Sequence, residues 1–195
     1  MMKASFSLIA GLALSLTSLT ATAQNTSFNI VRSAGATAGN CLPDARGRVT
    51  INSLGNVEVM HVEVSGLPAK TGFDAFILQL PNAPFGLSWY QGDLTTDENG
   101  RGVADFIGRF SVETFIVAPG PGPAPVVHAG DASVNPATAP VHTFHVGLWF
   151  DSTAAAAAAG CPATQTPFNG NHTAGIQAMS TRNFSNGNGP LRKIQ

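Results

Sequence analysis

The sequence predicts an all-β chain, an antiparallel β-sandwich with one short alanine-rich helix near 152–160. Short runs of β-branched and aromatic residues recur from Arg46 onward, and Gly, Pro and Asn turns separate them. Only the stretch STAAAAAAGC reads as helix.

The elements follow in order. RVTINS puts Val49 and Ile51 on one face of a first strand, and LGN turns the chain. NVEVMHVEVSG starts with valines of one parity and continues with valines of the other, so a β-bulge or a strand buried on both sides is expected there. After the connection GLPAKTG, FDAFILQL is apolar on both parities and reads as a central strand. LSWYQGDLTT and GVADFIGRF flank DENG, whose Asn99-Gly100 pair is a hairpin signal, and SVETFIVA ends the run.

Residues 118–140 are rich in Pro, Gly and Ala and read as a long connection, either a flap or a crossover between sheets. VHTFHVGLWF is the next strand. In the alanine run that follows, Ser152 or Thr153 is the expected N-cap and Gly160 the left-handed stop. Asn169-Gly170 marks another turn, Ala174 to Thr181 a last strand, and SNGNGPLRKIQ a loop.

The N-terminus fits an export signal. Lys3 precedes the apolar stretch Phe6 to Leu16, and Ala21-Thr22-Ala23 offers a cleavage site, which leaves residues 24–195 as a single expected domain. That apolar stretch is shorter than the roughly 20 residues of a membrane span. A formal net charge of −1, from few and mixed charges, argues against a nucleic-acid binder, which needs a basic face. The location expected is extracellular or periplasmic. Cys41 and Cys161 are the only cysteines, and in an oxidising compartment they are expected to pair.

The stretch VEVSGLPAKTGFDAFILQL, with GDLTTDENGRGVADF after it, resembles immunoglobulin-like and fibronectin-type sandwich modules of secreted proteins. The resemblance spans about residues 46–118 and implies a fold rather than an activity. GLWFDS, AGC and TPFNGNHTAGIQAMSTRNF are similar to uncharacterised exported bacterial proteins.

Two kinds of site are legible. The first is a metal site drawn from His61, His128, His142 and His145, with copper or zinc as the cofactor. In a strand, His142 and His145 point to opposite sides, so their H-x-x-H spacing is not a local chelate. Parity places His142, Phe144, Val146, Leu148 and Phe150 on a core face. His145, Gly147, Trp149 and Asp151 fall on a mixed face that is expected to be open to solvent or a groove. HAGD, at 128–131, resembles copper-zinc superoxide dismutases, although the tight H-x-H pair of those enzymes is absent.

The second site is a binding surface built on Trp89, Tyr90, His145 and Trp149, with an extracellular protein or a carbohydrate as partner. The chain has no G-x-S-x-G, and neither cysteine has a histidine nearby. The function expected is therefore non-catalytic: an exported binding or envelope- or matrix-associated protein. A copper- or zinc-binding enzyme of superoxide-dismutase-like type is the alternative.

Overall fold

The computed structural model describes residues 25–119, 138–166 and 168–195. The expected export signal, His128 and most of the Pro/Gly-rich connection lie outside these residues.

Among the described residues there are ten strands: β1 (Asn25–Arg32), β2 (Arg46–Ser53), β3 (Glu58–Ser65), β4 (Gly72–Leu78), β5 (Ser88–Thr95), β6 (Gly102–Gly108), β7 (Phe115–Pro119), β8 (Thr138–His142), β9 (His145–Phe150) and β10 (Gln177–Ser180). Two short helices, α1 (Ala34–Ala38) and α2 (Thr153–Ala158), and a 3₁₀ turn at Pro190–Lys193 complete the elements.

The antiparallel all-β expectation holds. The strands do not, however, divide into the two hydrogen-bonded sheets of an immunoglobulin-like sandwich. Eight of them form one sheet in the order β5-β4-β9-β10-β1-β2-β3-β6, and every pairing in it is antiparallel. A bridge between Thr96 and Gly102 brings the two outer strands together, so the sheet is nearly closed into a barrel. β4, β5 and β6 run consecutively, and β3 lies beside β6, which is a Greek-key path. The ribbon β7–β8 stands apart as a second sheet.

Alternation places Val49, Ile51, Met60, Val62, Phe73, Ile77, Leu148 and Phe150 inside, all nearly inaccessible to water. β3 contains no bulge. It pairs residue for residue with β2 and β6 from Glu58 to Val64, and Val57 and Val59 lie on its outer side, where neither is buried. The bulges lie elsewhere, one between β4 and β5 and one between β9 and β10.

The turns follow local chemistry. Asp97 Oδ1 accepts from the amides of Arg101 and Asn99, which in that order hold its carboxylate below the usual range, and Gly100 turns with φ +70°. Ser152 caps α2 by accepting from the Ala155 amide, and Gly160 leaves the helix with φ +71°. The C-terminal tail is more than a loop: Leu191 and Ile194 are buried in the core, and Ile194 O accepts from Val112 N. The predicted strand VHTFHVGLWF is broken at Thr143–Phe144, so His142 ends the ribbon and His145 begins the main sheet.

Cys41, just after α1, and Cys161, just after α2, form a disulfide with Cα atoms 5.2 Å apart across 120 positions of sequence. Cross-linking so distant a pair removes much of the unfolded chain's freedom, and both cysteines belong to the core. Replacing both by serine is expected to lower the unfolding free energy by about 2–5 kcal/mol, read from denaturant midpoints. Thiol counting on the unfolded, unreduced native chain should find no free cysteine.

Candidate functional site

A cleft of about 1050 Å³ opens on the outer face of β4 and β5, bounded by the end of β9 and the 168–173 loop. It exists because β4 and β9 carry a second apolar layer outside the barrel. Phe76, Leu78 and Trp149 point outward yet are buried, with Phe85 and Phe168 packed on them. Trp149 meets Phe76 at 5.3 Å, and Phe85 and Phe168 at 5.0 Å each. Two connections supply this cover. Residues 79–87 fold back through Gln79 N to Leu87 O and Leu80 N to Phe85 O. The loop carrying Phe168 is pinned by Asn169, whose Oδ1 accepts from Thr173 N and Ala174 N while its Nδ2 donates to Asp151 O.

Where this layer stops, the cleft begins, and its walls carry acid. Asp74 lies opposite Asp93 on β5 and Trp149 on β9. Its side chain is only 4% exposed, and Oδ2 has no hydrogen-bond partner. Asp93 accepts from the Tyr90 hydroxyl at 2.8 Å. Asp151 lies across the cleft beside Gly72, where any side chain would strike Asp151 Oδ2.

The bulge brings Tyr90 and Asp93 together. Three positions apart in a regular strand, they would face opposite sides. The β4–β5 register runs Ala75 to Gly92 and then Phe76 to Tyr90, so Gln91 is the extra residue and both side chains reach the outer face.

Burial, then the charge of Asp93 and a hydrogen bond shared with it, and then the charge of Asp151, push the Asp74 carboxyl up to about 6, against a weaker opposing hydrogen bond from Asn169. Partial desolvation, and after it the hydrogen bond and charge of Asp93, push Tyr90 up to about 12.

Of the binding residues expected from sequence, only Tyr90 lines this cleft, half-exposed and 5.9 Å from Phe76 in an edge-on contact. Trp89 faces the core. The open surface expected around His145 and Trp149 is corrected, because both are fully buried. Their outward parity is as expected, but the two connections cover that face. The His145 ring nitrogens meet Thr181 Oγ1 at 2.9 Å and Asn186 O at 3.1 Å.

The expected metal ligands occupy different settings. His61 sits on the outer face of β3, with Nδ1 2.6 Å from Asp105. His142 is half-buried on the ribbon and stacked on Phe144 at 5.2 Å. Among the described residues, no three His, Cys, Asp or Glu side chains gather as ligands for a metal ion.

Sequence reasoning missed Asp74, Asp93 and Phe168, and placed Asp151 on the mixed face of its strand without making it part of a site. One signal was available: Asp74 is the single charge in the otherwise apolar strand FDAFILQL. No protein-family model, curated protein or solved structure matches the chain.

The folded chain binds the Asp74 proton more tightly than the unfolded chain does. The group therefore contributes fully to stability below about pH 4, and that contribution is lost as pH rises through about 6. Asp74→Asn is expected to raise the unfolding free energy at pH 8 by an amount on the order of 3 kcal/mol, seen as a higher Tm, with the gain shrinking toward pH 4. Thermal melts of both proteins across that range check it.

Proposed function

We propose that this chain is an exported, non-catalytic binding protein, extracellular or envelope-associated, that holds its ligand in the cleft over β4 and β5. The observation that carries the reading is a cleft of ligand size with aromatic walls and one buried, unpartnered carboxylate oxygen. The polar groups around it are already held in place, Tyr90 on Asp93 and Asn169 on the 173–174 backbone, as a preorganised binding site requires. The Cys41–Cys161 disulfide fits an oxidising compartment, in keeping with export. A carbohydrate or a segment of an extracellular protein suits such walls, since rings stack on apolar faces while carboxylates accept hydrogen bonds.

A second reading, a copper- or zinc-binding enzyme of superoxide-dismutase-like type, has the Greek-key path in its favour. It requires His61, His128, His142 and His145 to act from separate elements.

Amide chemical-shift mapping separates these readings. Adding neutral oligosaccharides, short peptides and small amines is expected to move resonances of 72–76, 88–95, 151 and 168–173 saturably. If no compound moves that set, the cleft reading fails. Shifts centred on His61 or His142, together with stoichiometric copper or zinc in protein purified without chelators, support the metal reading instead.

A further inference from the structure

Resting on the cleft as the ligand site, we propose that its ligand is an organic cation, an ammonium or guanidinium group on an apolar stem, with Asp74 as the buried counter-ion. Three observations converge on it.

The first is charge. Asp74, Asp93 and Asp151 all line the cleft, and none of its lining residues is Lys, Arg or His. None of the ion pairs among the described residues engages any of these three carboxylates. A carboxylate buried without a cation is costly, and one that gains a cation makes a charge-assisted hydrogen bond of roughly twice the ordinary strength.

The second is the orphaned atom. Asp74 is 4% exposed, and its Oδ2 lacks a partner although the residue lines the cleft wall. Asp93 Oδ1 already accepts from Tyr90, and Asp74 shares a side-chain hydrogen bond with Asp93, which leaves Asp74 Oδ2 as the buried carboxylate oxygen without a partner for an incoming N–H donor.

The third is the wall. Phe76, Tyr90 and Phe168 border the same space, and aromatic faces attract cations and cover alkyl stems. A bare metal ion fits less well. The cleft measures about 1050 Å³, and the carboxylates are not gathered as a metal's ligands.

The groups that face Asp74 are Asp93 and Tyr90 from β5, Asp151 from the end of β9, and the neutral Asn169 from the loop. Tyr90 stays protonated throughout the neutral range, and the other charges are negative, so an ammonium ligand binds best when Asp74 is ionised. Because the fold holds the Asp74 proton up to about pH 6, affinity rises about tenfold from pH 5 to pH 8.

Calorimetric titration of the full disulfide-bonded chain tests this. The probes are n-butylammonium, spermidine and acetyl-arginine amide, with n-butanol as neutral isostere, a neutral oligosaccharide, and calcium and magnesium chloride. The expected result is saturable binding of at least one cationic probe, no binding of n-butanol, and the rise with pH. Asp74→Asn is expected to weaken binding at least about tenfold while folding with unchanged or higher Tm. Asp93→Asn, measured alongside, should weaken it less. Tighter binding of the arginine derivative assigns a partner's side chain, and tighter binding of spermidine assigns a free polyamine; both support the proposal.

Equal binding of n-butanol, calcium bound in place of the amines, or undiminished binding by Asp74→Asn overturns it. A neutral oligosaccharide that occupies the cleft while the amines stay silent overturns the cation and leaves the cleft as a binding site. Silence from every probe here and in the shift mapping overturns both.

Discussion

The ladder between β4 and β9 is buried on both sides, and the rest of the molecule is arranged around that fact. Phe73, Ala75, Ile77, Val146, Leu148 and Phe150 fill the barrel from this ladder, while Phe76, Leu78 and Trp149 point the other way. A sheet with large apolar side chains on both faces needs cover on both faces. The barrel supplies one cover, and the connections at 79–87 and around Phe168 must supply the other. The first of these connections is closed on itself by the Gln79–Leu87 and Leu80–Phe85 backbone bonds, and Asn169 ties the second to Asp151, just past β9.

The cleft is the place where this outer layer ends. Asp74 continues the outward row of β4 beyond Phe76, so a carboxyl stands where another apolar side chain would complete the layer. Burial and two neighbouring acids raise its proton affinity, a standing cost to the fold at neutral pH. Departures from a self-consistent core that persist at such a cost are most common where a protein binds or reacts. Tyr90 and Asp93 reach the same space because a bulge at Gln91 breaks the alternation of β5 between them.

Much of the fold was legible in the residues. The inward sets of β2 and β9, the two-sided burial of β4, the Asn99-Gly100 turn, the Ser152 cap and the cysteine pair all follow from chemistry within a few positions, or from there being only two thiols. The candidate site was far less legible. It combines residues from 74, 93, 151 and 168, brought together by the β5-β4-β9 strand order, whose long-range step from β4 to β9 the strands themselves do not encode. Asp74 left a trace as a charge inside an apolar run, and Asp151 as a member of the mixed face that follows from strand parity.

By itself the sequence determined the strand class, the turns, the helix cap, the disulfide and the parity of HVGLWF, because backbone alternation and turn chemistry act over short range. Only the tertiary structure decided that the outward face of that strand is dry, with His145 and Trp149 sealed inside. The same parity fits a wet face or a covered one. The choice rests with connections far away in sequence, which fold back because Trp149 and Phe76 have apolar surface to bury.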